Sequence, residues 1–428
     1  MKFVVFFYIG DYFFQARKAR FDDLDRAERL YRKSATLGDS FAYDDLMSMA
    51  LAAGDVETAE KIFAGAGGAG KDLEFRYSDQ NWKQYLQFTK LDKPFRTAEI
   101  NPASPPGFCV YTANWLDPDT LLLGYKTIPN DHPAANANRQ IKLFRYDLTT
   151  GSTSPLFAGI EDEKALPFSS RTKTLNDRNI VFQENSRLII LEKGTFKVLK
   201  EFTVPGDGKG FDLSPDGSSL VYSDAEGLYL TDLNRSYSRL ILASRKGKRD
   251  IDVQRPIWPQ WSADGQKILY VLGGWEWTYG IGVISPDGTA NRFYEFGDAV
   301  LAKWFNDSRR IALGQAPPGS DNPVFSSVIL DTTTGETTKL NRDGNSFYPG
   351  PDPSGSRVAY ISQLGLGEAV FVANLTKGVH YPASGRLGAK FFDWAPSGDR
   401  LLIGLGLDNS GELIRILLVH IFKPIAPK

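Results

Sequence analysis

Cysteine and histidine are scarce in these 428 residues, which hold one Cys and three His. The lone Cys109 excludes an internal disulfide framework and any thiolate-built zinc or iron–sulfur site within one chain. Charge of one sign is lacking too: 50 Lys and Arg stand against 51 Asp and Glu, a formal net charge of −1. No long-range field then draws the whole molecule onto nucleic acid or anionic lipid; nucleic acid is not expected as a partner, and any charged partner must be met locally. No apolar run approaches the roughly 18 residues that cross a bilayer, so no transmembrane segment is expected and the chain reads as soluble. The opening MKFVVFFYIG is short, and Asp11 with Tyr12-Phe13-Phe14 follows where a signal peptide carries small residues. It reads as a helix or an ordered start, which implies a cytoplasmic protein if the N-terminus is complete as given.

What is present is abundant apolar and turn-forming chemistry. Hydrophobic residues make up 42% of the chain, which also has 28 Phe, 18 Tyr, 8 Trp and 40 Gly. That composition excludes disorder, and the length suffices for two domains. Residues 11 to about 66 carry apolar positions at helical spacing: Leu24, Ala27, Leu30 and Tyr31, then Leu46, Met49 and Ala50. A stop at Gly54-Asp55 precedes Ala59, Ile62, Phe63 and Ala66, which spells helix, tight turn, helix. Ala27 with Tyr31, and Ala59 with Phe63, recur at close to the roughly 34-residue period of a helical repeat. The stretch LMSMALAAGDVETAEKIFAGA resembles part of a tetratricopeptide repeat, although the usual closing proline is missing. Two such units bury little by themselves, so a cap packed on a larger domain is expected, in preference to a free peptide groove.

GAGGAGKD, residues 65–72, nearly spells a phosphate-cradling loop. Asp72 stands where a hydroxyl must reach magnesium, and the segment follows a helix where a strand is required. It reads as a glycine C-cap and flexible linker, and no cofactor is expected.

From residue 108 short runs of Val, Ile, Leu, Tyr and Phe alternate with Gly, Pro, Asp, Asn and Ser turns. A unit recurs as FDLSPDGSSLVYS, PQWSADGQKILYV, AKWFNDSRRIALG, GPDPSGSRVAYIS and FFDWAPSGDRLLIG. Its turn position falls at Gly217, Gly265, Ser308, Gly355 and Gly398. Two degraded copies precede these, near Thr120 and Arg178. A period of about 46 residues is that of a four-stranded propeller blade. The turn needs positive φ and a local side-chain acceptor, which Gly and Asp supply. The fold expected is mainly β: a seven-bladed β-propeller, with six blades as the alternative, preceded by a small helical module. The boundaries are residues 1–70 for the helices, 71–107 for a linker and 108–428 for the propeller. Only FKPIAPK follows the last third strand, so a segment within residues 92–101 is expected to complete the final blade.

The SPDG, WSADG and APSG turns resemble the TolB-like propeller repeat, a relative of the WD-repeat class, over residues 108–428. The resemblance implies a non-catalytic binding platform, periplasmic as in that family. Related propellers also serve as lyases or as the gating half of serine peptidases.

In a propeller the loops between second and third strands share a face with the links between blades. Three of these loops are long here: residues 125–139, 273–280 and 315–325. GGWEWTYG places Trp275, Trp277 and Tyr279 in alternation, so in an extended loop they point one way as an aromatic anchor. Arg245, Lys246, Lys248 and Arg249 of RKGKR lie in the link before that blade and should emerge beside the loop. Covering their own hairpin, or a solvated basic turn, are the plainer readings. The catalytic inventory is thin. His132, His380 and His420 fall on three blades, no HxxxH or HExxH spacing occurs, and no G-x-S-x-G elbow joins strand to helix. The expectation is therefore a non-enzymatic scaffold for a protein or peptide, with no metal. A channel lyase or hydrolase, or a carbohydrate or cell-envelope sensor, is the competing class.

Overall fold

The computed structural model describes residues 12, 15–16, 24–37, 39–66, 79–105, 108–127, 140–156, 166–167, 171–174, 179–184, 187–192, 195, 197–203, 210–233, 237–246, 253–274, 278–317, 324–340, 345–406 and 413–421. Seven β-sheets form a seven-bladed propeller, and helices precede them in the chain. The chain divides into two compact units: Met1–Phe168 with Gln363–Phe371 and Tyr381–Lys428, and Ser169–Ser362 with Val372–His380.

In the first unit α1 (Leu24–Thr36) buries Ala27, Tyr31, Ser34 and Ala35 along one face, as the sequence spacing requires. The carboxylate of Asp39 accepts the Phe41 N–H (3.0 Å) and so caps α2 (Ser40–Ala53), which ends at left-handed Gly54. Asp55 then accepts the Thr58 N–H (3.0 Å) and starts α3 (Val56–Ala66). A further helix, α4 (Asp79–Thr89), falls inside the segment expected to be linker and stacks Trp82 on Phe63, 4.8 Å between ring centres.

The apolar faces of these helices share one core with Leu366, Ala369 and Leu387. Polar contacts fix the seat, because the Leu387 N–H donates to the Leu51 carbonyl (3.2 Å) and the Gly365 N–H to the Gln84 side chain (2.8 Å). The helical module is thus a cap buried against strands and loops of its own unit.

Strand β1 (Arg96–Ile100) lies inside residues 92–101. Blade 1 follows as β2 (Phe108–Asp117), β3 (Thr120–Thr127), β4 (Gln140–Asp147) and β5 (Thr153–Pro155), with β6 (Leu166–Pro167) also pairing β4. Blade 2 is β7 (Arg171–Thr174), β8 (Asn179–Glu184), β9 (Arg187–Glu192) and β10 (Val198–Thr203). Blade 3 is β11 (Phe211–Leu213), β12 (Ser219–Ser223), β13 (Gly227–Asp232) and β14 (Tyr237–Ala243). Blade 4 has five strands: β15 (Arg245–Lys246), β16 (Val253–Trp261), β17 (Ile268–Gly273), β18 (Thr278–Ile284) and β19 (Asn291–Glu295). Blade 5 is β20 (Asp298–Trp304), β21 (Arg310–Ala316), β22 (Ser326–Asp331) and β23 (Thr337–Lys339). Blade 6 is β24 (Ser346–Pro351), β25 (Arg357–Leu364), β26 (Gly367–Asn374) and β27 (Val379–Pro382). Blade 7 comprises β28 (Ala389–Trp394), β29 (Arg400–Gly406) and β30 (Leu413–His420).

β1 is the outer strand of that last sheet, antiparallel to β30 from Arg96 opposite His420 to Ile100 opposite Ile416. The chain's early strand therefore hydrogen-bonds to its final one, which leaves β30 with no open edge. Glu99 on β1 binds Arg386 (2.9 Å) and Arg415 (2.5 Å), joining the closing strand to the loop that seats α2.

Second strands are almost wholly buried, as in β17, whereas outer strands such as β23 are exposed. This gradient is what a sheet sandwiched between neighbouring sheets requires. All five turn positions have positive φ, from 55° at Ser308 to 72° at Gly217. Serine at 308 is explained by its hydroxyl, which accepts the Asp264 N–H of the preceding blade's turn (2.9 Å). Adjacent blades are also joined along their first strands. Asp212 accepts the Trp261 N–H (2.8 Å), Gln260 donates to the Ala302 carbonyl (2.7 Å), and Asp393 accepts the Trp115 N–H (3.1 Å).

Candidate binding surface

The tight turn of blade 4, around Gly265, follows β16 and therefore lies at one end of the sheet. The start of β16, the end of β17 and the start of β18 lie at the other. β15 pairs with β16 there, Arg245 opposite Gln254 and Lys246 opposite Val253. Next along β16, Arg255 is opposite Gly273, which is opposite Thr278 on β18. One sheet edge thus gathers Arg245, Lys246, Arg255 and the base of the GGWEWTYG hairpin.

Arg245 and Lys246 are exposed and Arg255 is half-buried. Outside the backbone pairing, their side chains make no hydrogen bond or ion pair with another described residue. The charge of Arg245 is felt at the Tyr270 hydroxyl, whose pKa burial pushes up while Asn291 and Arg245 pull it back. A local cationic edge on a nearly neutral protein is where an acidic group gains most at short range.

The hairpin base is fixed from both sides. The Thr278 hydroxyl donates to the Ala299 carbonyl (2.8 Å) and accepts the Ala299 N–H (2.7 Å), tying it to blade 5. Within the sheet, Tyr270 lies across β17–β18 directly opposite Gly282, and its hydroxyl donates to the Asn291 side chain (3.0 Å). Any side chain at 282 would meet the ring, since a Cβ there would sit 2.0 Å from Tyr270 Cζ. These contacts hold the end of β17 and the start of β18 rigidly in the sheet.

Of the residues named from sequence, Arg245, Lys246 and Tyr279 come to this edge. Tyr279 is half-buried and packs on the core cluster of Val221, Leu228, Trp261, Tyr270 and Ile284, so part of its ring serves the sheet. Trp275, Trp277, Lys248 and Arg249 lie outside the described residues, as do His132 and most of the loops at 125–139 and 315–325. His380 accepts from or donates to the Tyr360 hydroxyl (2.9 Å), and His420 sits on β30. Among the described residues no group of three or more His, Cys, Asp or Glu is arranged to hold a metal ion, and no helix is long and apolar enough to cross a membrane.

Sequence reasoning missed Arg255 and a set of first-strand residues. Trp258, Leu301 and Tyr348 each stand seven positions before a turn, on β16, β20 and β24, with φ of 51°, 49° and 57°. The signal was the fixed offset from the turn, with Pro259 and Pro349 marking two of the three.

No protein-family model matches the sequence, and no curated protein matches it. Solved structures do. An oligogalacturonate lyase in complex with manganese is 16% identical, over 77% of this chain and 97% of its own, with a TM-score of 0.53. The Cps50 (Swd1) β-propeller domain of Myceliophteria thermophila is 11% identical, over 76% of this chain and 100% of its own, with a TM-score of 0.52. A TolB from Agrobacterium tumefaciens is 15% identical, over 65% of this chain and 96% of its own, at a TM-score of 0.41. The two with TM-scores above 0.5 show, at these identities, a likeness of fold alone.

Proposed function

We propose that this propeller is a non-catalytic platform for a protein or peptide, which it holds at the loop edge of blade 4. The observation that carries the reading is the extra strand β15. By pairing with β16 it brings Arg245 and Lys246 to the same sheet edge as Arg255 and the base of the tryptophan-bearing hairpin. Aromatic and arginine side chains grouped on a rigid support are the usual energetic centre of a protein interface. The nearly neutral net charge leaves this edge as a local feature, so recognition is set by the patch and weakened by salt.

The test is paired affinity capture with quantitative mass spectrometry. One bait is the unaltered chain and the other carries Arg245→Glu, Lys246→Glu, Trp275→Ala and Trp277→Ala. A protein recovered by the first and lost from the second, then shown to bind directly when purified, supports the platform. Equal recoveries of every protein reject it. The lyase among the fold neighbours keeps carbohydrate as the second reading, and a glycan array with the same two baits separates the two.

A further inference from the structure

The first strands of blades 4, 5 and 6 share an irregularity that repeats with the turns. In each, two residues stand opposite one on the second strand: Trp258-Pro259, Leu301-Ala302 and Tyr348-Pro349. The first residue of each pair has positive φ, a strained conformation that a bulky side chain rarely adopts. The second residue is buried in all three. A bulge of this kind turns the first side chain out of the sheet. Leu301 is 41% exposed, Tyr348 40%, and Trp258 is half-buried.

Blade 3 has glycine at the same offset. Gly210 has φ 117°, and a Cβ there would lie 2.9 Å from the Trp258 Cα. The row of large side chains therefore begins at Trp258. One charge accompanies it: Lys303, two residues after Leu301, is exposed and has no ion-pair or hydrogen-bond partner among the described residues.

We infer that Trp258, Leu301 and Tyr348 form an apolar ledge for an extended peptide segment, and that Lys303 pairs with an acidic residue of that segment. Three equivalent contacts on consecutive blades suit a ligand that runs from blade to blade and offers successive side chains, as an extended peptide does. An exposed cation beside an otherwise uncharged row supplies the complementary charge. This rests on the platform reading, and places a second contact on the same unit: Trp258 shares β16 with Arg255 of the cationic edge, while Leu301 and Tyr348 extend the contact onto β20 and β24.

Selection of a phage-displayed random peptide library on the full chain tests it. Enriched sequences should join an acidic residue to two or more large apolar ones. A synthetic peptide of the leading sequence should lose about tenfold in affinity on Leu301→Asn and on Tyr348→Asn. Asparagine tolerates positive φ, so melting temperatures should hold; a variant that melts lower is replaced by glycine at the same position. Lys303→Gln should flatten the salt dependence of binding. Peptides unaffected by all three changes but lost on Arg245→Glu with Trp275→Ala would overturn the ledge and leave the platform standing. Failure to enrich any peptide sensitive to either set would overturn both.

Discussion

Gly282→Ala offers the sharpest energetic test of the sheet that supports the candidate surface. A Cβ at 282 would lie 2.0 Å from Cζ and 2.2 Å from the hydroxyl of Tyr270, where carbon atoms normally rest about 3.5–4.0 Å apart. Tyr270 is 2% exposed, so the ring has no open space to enter. Overpacking a core of this kind costs about 1–3 kcal/mol. Pulling the phenol from Asn291 leaves a buried hydroxyl unpaired, for about 1–3 kcal/mol more. The substitution should therefore destabilise by about 2–6 kcal/mol, read as a fall in the urea midpoint at constant slope. Tyr270→Ala alone should cost about 3–5 kcal/mol. In that background the clash is gone, and alanine at 282 should be neutral or stabilise by about 0.5–1 kcal/mol, as expected for replacing glycine within a strand. The two changes should thus couple by about 2 kcal/mol or more, and additivity within about 0.5 kcal/mol would refute the packing argument.

Three further outcomes follow from the same contacts. Removing residues 1–100 strips β1 from β30 and uncovers Leu366 and Leu387, so the melting temperature should fall and aggregation rise; an unchanged melt would contradict the seam. Asp212→Ala leaves the Trp261 N–H between blades 3 and 4 without its acceptor and should cost about 1–3 kcal/mol in urea unfolding, with Asp212→Asn recovering most of it. The carboxyls of Asp287, held by the Ser285 hydroxyl, and of Asp331, held by Arg309, are both lowered to about 2 from 3.8. A lowered carboxyl pKa favours the folded state above the unfolded value and loses that advantage as pH falls through the folded one. Stability should therefore decline from about pH 4 to about pH 2, and Asp287→Asn with Asp331→Asn should flatten that segment of the curve.

The blades were legible because their turns obey a local rule. Gly217, Gly265, Gly355 and Gly398 are needed at positive φ, and an Asp, Ser or Asn beside them is needed as a local acceptor, so the period shows in a single sequence. Ser308 broke the glycine pattern for a reason that only the neighbouring blade reveals, its bond to Asp264. The helix Asp79–Thr89 was hidden by its polar content, although Trp82, Tyr85 and Phe88 recur every third residue and face the shared core. β15 was illegible in principle: two charged residues carry no strand signal, and only pairing with β16 makes them one. The ledge was half legible, since Pro259 and Pro349 mark the offset while Leu301 is followed by alanine.

Site-specific photo-crosslinking asks most directly whether the molecule works by displaying this surface. A photoreactive residue replaces Lys246 on β15, or Val198 on the exposed outer strand of blade 2 as a control. Irradiation in cell extract should yield a discrete protein adduct from position 246 and none from position 198. Adducts from 198 alone, or none from 246 under any condition in which the chain captures a protein, would contradict the account.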